Sequence, residues 1–290
     1  MKIIVWGLLA VILAGEIVLR FVVGLGDPPI AKLDPAIEYI LVPNAEYQRW
    51  NNDIKINNVG LRGPDVLPKD KDAEMRVLLI GDSVIYGTHK IDQTETIGTH
   101  LRAEMIDINS ACLPNVISVA VSSWGPFNQR AYLSRYGTFD ADTALIVLSA
   151  HDLYDVPTPN SQYLPYRLVG SWTAIGDAAT AYLERRRPTD KPLNIDLRQN
   201  LSVGALREMI DNLVTANIQT TLVYHPTVSE HSTGSRREST EFAKIANDMA
   251  VPFIDLNNRV DAENAYLDHI HPNGLGAKRI AEALARAIDC

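Results

Sequence analysis

The segment Val77-Leu78-Leu79-Ile80-Gly81-Asp82-Ser83 passes from four apolar residues directly into a glycine, an aspartate and a serine. A short continuous apolar run is typical of a strand that is buried on both faces of a sheet. Because the glycine permits a sharp turn at the end of this strand, the Ser83 hydroxyl is expected to be exposed at the carboxyl edge of the sheet. That position suits a nucleophile, although a serine here could equally cap the start of a helix.

Similar apolar runs recur along the chain and alternate with helical patterns. The further candidate strands cover 116–121, 144–148, 221–224 and 253–255. The helical patterns cover 96–106, 128–136, 203–216, 239–249 and 275–288. Regular alternation of strand and helix predicts an α/β protein with a doubly wound parallel sheet. Residues that carry chemistry are then expected in the loops at the carboxyl ends of the strands.

A second motif, Asp268-His269-Ile270-His271, lies just before the last helical pattern. A serine hydroxyl is a weak nucleophile until a base takes its proton, and the base needs a group that orients it. A separation of three residues places Asp268 and His271 on the same side of one turn. We therefore predict that His271 is the base for Ser83 and that Asp268 orients His271.

Together, Gly81-Asp82-Ser83 after the first strand and Asp268-x-x-His271 before the last helix resemble the SGNH hydrolases, also called the GDSL esterase and lipase superfamily. The resemblance covers roughly residues 76–288. It implies a three-layer α/β/α fold of the flavodoxin-like kind and a catalytic triad of Ser83, His271 and Asp268. It also implies a serine esterase, for which we expect no cofactor.

Two inner blocks of that family supply oxyanion donors, and both depart from the usual residues here. The family has a glycine after the second strand, where this chain has Ser123, and an asparagine after the third strand, where it has His151. Ser123 still has the backbone N–H that the family's glycine would supply. The N–H of the His151 ring can donate a hydrogen bond in place of the asparagine amide. Ser123 and His151, with the Ser83 N–H, are therefore predicted to form an altered oxyanion hole.

Other side chains near the same sheet edge are expected to contact the substrate. Trp124, Tyr154 and His225 are the candidates. His225 could instead be a buried structural histidine, and Tyr154 could belong to an apolar cluster that fixes a long loop. His269 and His271 alternate as metal ligands can, but no cysteine or carboxylate cluster completes a ligand set in the sequence, so no metal site is predicted.

The N-terminal residues 3–25 are apolar except for Glu16 and Arg20, and about 20 such residues can cross a membrane. We interpret 1–26 as an uncleaved transmembrane signal anchor, with a cleaved signal peptide or an interfacial helix as alternatives. Glu16 and Arg20 could pair with each other or contact another membrane protein. The charge balance around the helix leans toward a domain on the periplasmic or extracytoplasmic side of the inner membrane.

Prolines and polar segments indicate where the domains of the chain begin and end. Asp27-Pro28-Pro29 ends the membrane segment, because two prolines cannot continue a helix. A β-ribbon collar and a polar linker are predicted for 27–75. The hydrolase-like domain is predicted for 76–290, with an insertion at about 154–195.

Composition and cysteine content limit the partners and the compartment. Of the 290 residues, 27 are Lys or Arg and 35 are Asp or Glu, which gives a net charge of −8. Such an acidic chain is not expected to bind nucleic acid. Its two cysteines, Cys112 and Cys290, could form one disulfide in an oxidising compartment or remain two thiols.

These features predict a membrane-anchored serine esterase that removes ester-linked acyl groups, above all O-acetyl groups, from a carbohydrate or polysaccharide. The substrate class follows from a resemblance to membrane-anchored SGNH proteins of exopolysaccharide modification systems. One alternative is a polysaccharide O-acetyltransferase with a membrane acyltransferase as partner. Another is a catalytically silent carbohydrate-binding scaffold, although a scaffold has no reason to keep Ser83, Asp268 and His271 together.

Overall fold

A five-stranded parallel sheet forms the centre of the computed structural model, which describes residues 2–70, 74–158, 164–184, 194–234 and 237–290. Two antiparallel hairpins precede this sheet. The strands are β1 (Ala31–Asp34), β2 (Glu38–Leu41), β3 (Ala45–Arg49), β4 (Asn52–Ile56), β5 (Met75–Gly81), β6 (Pro114–Ala120), β7 (Thr143–Leu148), β8 (Gln219–Tyr224) and β9 (Phe253–Asp255). The helices are α1 (Lys2–Ile17), α2 (Ser83–Tyr86), α3 (Ile97–Ile108), α4 (Pro126–Tyr136), α5 (Ala174–Glu184), α6 (Ile195–Thr215), α7 (Val228–Thr233), α8 (Arg237–Asp248) and α9 (Gly274–Ala285).

The strand order of the central sheet is β6-β5-β7-β8-β9, and every neighbouring pair is parallel. The chain moves one way from β5 to β6 and the other way from β7 to β9, so the topology reverses between β5 and β7. Because parallel crossovers are right-handed, helices before and after the reversal lie on opposite faces of the sheet. α3 packs with α9 on one face, and α4 packs with α6 on the other. The predicted three-layer, doubly wound α/β/α fold is confirmed.

Helices on both faces explain why the central strands are apolar throughout. All six residues of β7 are buried, as is β5 from Arg76 to Gly81. Gly81 allows the chain to turn tightly into Ser83. A Cβ atom at this position would lie 2.5 Å from the Ile85 side chain and 3.0 Å from the Val147 carbonyl oxygen.

The N-terminal helix α1 continues through a π-helical turn at Val18–Val22. Together they span Lys2–Val22, 21 residues with a mean hydropathy of 2.2, which is long and apolar enough to cross a membrane. A signal sequence near an N-terminus has the same properties. Arg20 donates hydrogen bonds to Glu16, so the pair that the spacing of four residues permits does form.

The two hairpins, β1–β2 and β3–β4, form where the sequence predicts a β-ribbon, and we call them the collar. The chain after the collar packs against the loop that follows α2. The buried Arg62 guanidinium donates there to the carbonyl oxygens of Tyr86, Thr88 and Ile91. Residues 71–73 of the predicted linker, and 159–163 and 185–193 of the predicted insertion, lie outside the described residues.

Cys112 and Cys290 form a disulfide, which is one of the two alternatives left open by the sequence. Their Cα atoms are 5.7 Å apart, and the bond joins the loop before β6 to the residues after α9. The bond closes a loop across a sequence separation of 178 residues. It therefore restricts the unfolded chain over most of the domain.

Cys290→Ser is expected to lower the free energy of unfolding by about 2–5 kcal/mol, because it releases this constraint on the unfolded chain. Urea denaturation of the full chain in detergent measures the difference. Cys112→Ser should match it, and a reducing agent should bring the wild type to the level of both variants. A wild-type midpoint that does not change on reduction would contradict the prediction.

Candidate active site

Ser83 is the first residue of α2 and follows β5 at the carboxyl edge of the sheet, beside the reversal of topology. Asp82, rather than Ser83, caps this helix, because Asp82 Oδ1 accepts a hydrogen bond from Val84 N–H at 2.8 Å. The Ser83 hydroxyl is therefore not used as a helix cap. It is left for contact with other loops at this edge.

The structure brings Asp268 and His271 to Ser83 from the far end of the sequence. Ser83 Oγ lies 2.9 Å from His271 Nε2, and His271 Nδ1 lies 2.8 Å from Asp268 Oδ2. Asp268 Oδ1 also accepts hydrogen bonds from the backbone N–H groups of Ile270 and His271, at 3.0 and 2.9 Å, which fixes this turn. A hydroxyl, an imidazole and a carboxylate in one hydrogen-bonded line can produce an activated serine.

Asp268 is held in its ionised form. Partial burial would raise the pKa of Asp268, but hydrogen bonds from the backbone N–H groups of His271 and Ile270 and from the His271 ring outweigh it and lower that pKa to about 2. An ionised Asp268 favours the His271 tautomer that carries its proton on Nδ1. In that tautomer Nε2 can accept the proton of Ser83.

Two backbone N–H groups are available for an oxyanion. The Ser83 N–H lies in the first turn of α2, where N–H groups have no acceptor within the helix. Ser123, after β6, has a φ of 63°, in the left-handed region that favours glycine. In the described part of the chain, neither N–H has a hydrogen-bond acceptor. A positive φ at this position explains why the SGNH family, which the sequence resembles, has glycine here. Ser123 adopts the same conformation and still has a backbone N–H donor.

Two tyrosines that sequence reasoning missed position the loop before Ser123. Tyr166 Oη accepts from Ser122 N–H at 3.2 Å and donates to Ser122 Oγ at 3.0 Å. Tyr39 Oη donates to the Ser122 carbonyl oxygen. Both tyrosines are buried, and they come from the collar and from the predicted insertion. No local motif marks them, because they are 83 and 44 residues away from Ser122 in the sequence.

Tyr166→Phe is expected to lower kcat by about 10-fold with little change in KM, because Ser122 loses two hydrogen bonds and the Ser123 N–H is held less firmly. Steady-state kinetics on p-nitrophenyl acetate measure both constants. Tyr132→Phe is a matched control, since the buried Tyr132 Oη donates to the Val59 carbonyl at 2.8 Å, away from the triad. Equal losses in the two variants would indicate general destabilisation rather than a positioning role.

His151 lies beside the nucleophile loop and contacts Asp82. His151 Nε2 is 2.8 Å from Asp82 Oδ2, and that same oxygen is 3.5 Å from Ser83 Oγ. The second carboxylate oxygen of Asp82 therefore ties the loop after β7 to the loop after β5. The His151 side chain is 40% exposed, so the ring also faces the surface. Its role as an oxyanion donor remains a prediction.

The surroundings of His151 favour its charged form. Burial would lower the pKa of His151, but the carboxyl groups of Asp152, Asp82 and Asp155 raise it to about 10. Burial would likewise raise the pKa of Asp82, but the hydrogen bond and charge of His151 lower it below its usual range. Burial raises the pKa of Asp152 well above its usual range. His151 is then an imidazolium with a proton on each ring nitrogen.

The same cluster has the spacing of a metal site. The ligand atoms of Asp82, His151 and Asp152 lie within 4.8 Å of one another. A metal ion bound there would have to break the 2.8 Å contact between His151 and Asp82. The ion pair between these two residues accounts for the cluster as it stands.

Trp124 does not line the site, contrary to the prediction. Its side chain is fully buried, its indole N–H donates to the Tyr39 carbonyl oxygen at 3.2 Å, and its ring packs on Tyr132 at 5.3 Å between centroids. The position after β6 places Trp124 near the correct sheet edge. The direction of the side chain depends on the collar, which covers it.

His225 is also buried beneath the site rather than exposed in it. It is 1% exposed and lies between Ser149 Oγ and Tyr266 Oη, at 3.3 Å from each. Burial lowers its pKa to about 3, so it is neutral. It is therefore the structural histidine that the sequence left open as an alternative. Tyr154 is half-buried, and its contact with substrate stays a prediction.

The triad lies at an open surface. Asp268 and His271 side chains are 41% and 22% exposed. A cleft of about 860 Å³ lies elsewhere, between α3 and the chain around Arg62 and Gln93. The triad is therefore accessible from the surface rather than through that cleft.

No protein-family model and no curated protein matches the sequence. A GDSL-like lipase from Bacteroides thetaiotaomicron has a similar structure, with 13% identity and a TM-score of 0.45 over 76% of this chain and 90% of that one. A psychrotrophic esterase from Pseudoalteromonas has 16% identity and a TM-score of 0.44, over 71% and 92%. An acetyl xylan esterase has 13% identity and a TM-score of 0.48, over 74% and 100%. These likenesses carry no statement about the family or the activity of this chain, whose three-layer α/β/α fold follows from its own strand order and helix packing.

Proposed function

We propose that this chain is a membrane-anchored serine esterase of the SGNH type that removes short ester-linked acyl groups, above all O-acetyl groups, from a carbohydrate. The observation that carries the proposal is the hydrogen-bonded line from Ser83 Oγ through the His271 ring to Asp268, with distances of 2.9 and 2.8 Å. A group transfer that starts from an activated serine uses all three side chains in this order.

In this reaction Ser83 Oγ attacks the ester carbonyl carbon while His271 Nε2 takes the hydroxyl proton. Asp268 holds Nδ1–H and stabilises the imidazolium that forms. The N–H groups of Ser83 and Ser123, with His151, donate to the developing oxyanion. The tetrahedral intermediate collapses, and the sugar oxygen leaves with the proton from His271. Water then attacks the acyl-enzyme with His271 as base, which releases the carboxylic acid and restores Ser83.

The exposure of the triad supports a bulky alcohol portion and a small acyl group. Asp268 and His271 are accessible from the surface, so an ester on a long polymer can reach Ser83 without the polymer entering a tunnel. An acetyl group needs little apolar surface for binding, because it has only one methyl group to bury. The exposed ring of His151 borders the same opening.

Two features support a location at a membrane and outside the cytoplasm. The helix Lys2–Val22 has no buried residue and is apolar enough to span a bilayer. The disulfide between Cys112 and Cys290 belongs in an oxidising compartment. Both the membrane helix and the disulfide are consistent with a catalytic domain on the periplasmic or extracytoplasmic side of the membrane.

Reaction with a fluorophosphonate probe tests the proposed chemistry in the full chain. We expect the wild type to be labelled and the Ser83→Ala and His271→Ala variants to lose the label. Labelling that persists in both variants would overturn the proposed serine chemistry. A folded wild type that takes no label would favour the silent scaffold instead.

The fate of the acyl group separates a hydrolase from a transferase. With a radiolabelled acetyl ester and an oligosaccharide acceptor, the proposal predicts free acetate as the main product. Accumulation of acetylated oligosaccharide would assign the same acyl-enzyme to an O-acetyltransferase. Glu16 and Arg20 bond to each other and to the backbone of residues 172–175, so contact with a membrane acyl-donor partner would be additional to these bonds.

A further inference from the structure

Residues 168–175, which we call the Trp172 loop, are tied to the last turns of the apolar N-terminal helix. The Glu16 carboxylate accepts hydrogen bonds from the backbone N–H groups of Ala174 and Ile175 at 2.8 and 3.1 Å, so it caps the start of α5. Arg20 donates to the Trp172 carbonyl oxygen at 3.3 Å and to Glu16 at 2.8 Å. Both charged side chains of residues 3–25 therefore hold this loop.

A buried ion pair fixes the segment behind the loop. The fully buried Asp177 carboxylate on α5 pairs with Arg167 at 2.7 Å and with Arg49 at the end of β3. It also accepts a hydrogen bond from Gly26 N–H at 2.7 Å, just after the helix. A buried carboxylate with several donors holds its neighbours in one arrangement. The Trp172 loop thus has a defined position relative to the membrane helix.

The outward side chains of this loop are apolar and exposed. Trp172 is 95% exposed, Val169 is 72% exposed and Leu168 is 46% exposed. Scattered single apolar residues are normal on a surface, but a contiguous exposed set marks a contact with another apolar phase or partner. These three residues lie within five consecutive positions.

The position of the Trp172 loop along the N-terminal helix indicates which apolar phase the loop contacts. Charged side chains are costly at the centre of a bilayer and are found near its faces. Glu16 and Arg20 lie in the last two turns of the Lys2–Val22 span, near one face of the bilayer, and the bond from Arg20 places Trp172 at the same level. Tryptophan is enriched at this interface, because its ring is apolar and its N–H can still reach polar groups.

We propose that the Trp172 loop inserts Val169 and Trp172 into the interfacial layer of the bilayer that the N-terminal helix crosses. This inference rests on the membrane anchorage proposed above. The loop is then a second contact with lipid, which stops the domain from rotating freely about one helix. Because Tyr166, just before the loop, holds Ser122, the same contact keeps the active-site edge of the sheet close to the membrane surface.

Spin labelling of the full chain in nanodiscs of phosphatidylcholine and phosphatidylglycerol tests this inference. Single cysteines are introduced as Trp172→Cys, Val11→Cys and Ile108→Cys, with the Cys112–Cys290 disulfide intact. Val11 reports on the helix, and Ile108, 61% exposed at the end of α3, is a matched control at the opposite edge of the sheet. The label at 172 is expected to have a several-fold higher ratio of oxygen to nickel-chelate accessibility than the label at 108.

The labels separate the loop from the anchor. Equal accessibility ratios at 172 and 108, with a lipid-exposed label at 11, would overturn the loop contact and leave the membrane anchor standing. Water-exposed labels at both 172 and 11 would overturn both proposals.

Kinetics in detergent distinguish lipid contact from stacking on a sugar. Trp172→Ala is expected to leave KM for a soluble acetylated polymer unchanged in detergent, because the substrate does not touch the loop. A several-fold rise in that KM would assign Trp172 to substrate binding and overturn the lipid contact.

Discussion

Ser83→Ala is expected to lower kcat on p-nitrophenyl acetate by roughly 10⁴-fold or more, because no acyl-enzyme can form without the hydroxyl. The remaining rate would come from the oxyanion donors and from binding alone. The fold should be preserved, since Asp82 caps α2 and, among the described residues, Ser83 Oγ bonds only to side chains of the site. Steady-state kinetics and thermal unfolding of the full chain measure the two effects separately.

A matched control for this substitution is Ser134→Ala, which removes the hydroxyl of an exposed serine on α4. Its kcat should equal that of the wild type. If a folded Ser83→Ala protein retained the wild-type rate, the assignment of Ser83 as nucleophile would be lost. The esterase proposal would then have no covalent intermediate.

His151→Ala is expected to lower kcat by about 100-fold, the usual effect of losing one oxyanion donor. It should also destabilise the chain, because it leaves the buried Asp82 carboxylate without its charged partner. Kinetics must therefore be measured at a temperature at which the variant is folded. A kcat equal to that of the wild type would leave backbone N–H groups as the only donors.

Two amide variants separate the roles of His151. In His151→Gln the amide nitrogen can take the place of Nε2 beside Asp82, without the positive charge. His151→Asn restores the donor that is usual in the family and should recover part of the activity. Recovery with Gln but not with Asn would indicate that the contact with Asp82 matters more than direct donation to the oxyanion.

The pH dependence of stability tests the charge on His151. Its pKa rises from the ordinary value of 6.5 to about 10 in the folded chain. The contribution of charged His151 to the free energy of unfolding is therefore complete below a pH of about 6.5. This contribution is lost as the pH rises toward about 10. The unfolding temperature of the wild type should fall over this range more steeply than that of His151→Gln. Parallel curves would show that His151 is not an imidazolium paired with Asp82 in the folded chain.

Local patterns in the sequence were sufficient for the fold. Apolar runs such as Val77–Ile80 mark strands that are covered on both faces, and their alternation with helical patterns specifies a parallel sheet. The same reasoning places Ser83 and the residues after β7 at one edge, because parallel strands end together. Asp268 and His271 could be paired because three residues separate them, which is a local relation.

Contacts between distant segments were decided only by the tertiary structure. The burial of Trp124 depends on the collar, and the position of Ser122 depends on Tyr39 and Tyr166 from two other segments. Periodicity shows which face or edge a residue occupies, but it carries no information about which remote side chain fills the space opposite. These residues could therefore not be assigned from their own neighbourhoods.

Pairs of interacting side chains also divide into local pairs, which the sequence predicts, and remote pairs, which only the fold brings together. The Glu16–Arg20 pair was predictable because its members are four residues apart on one helix. The sequence by itself thus determined the strand–helix alternation and the apolar helix, and it predicted the residues of the proposed triad, all of which rest on spacing. Only the folded chain joined His151 to Asp82 and Cys112 to Cys290, because such pairs form where the topology brings separate loops together.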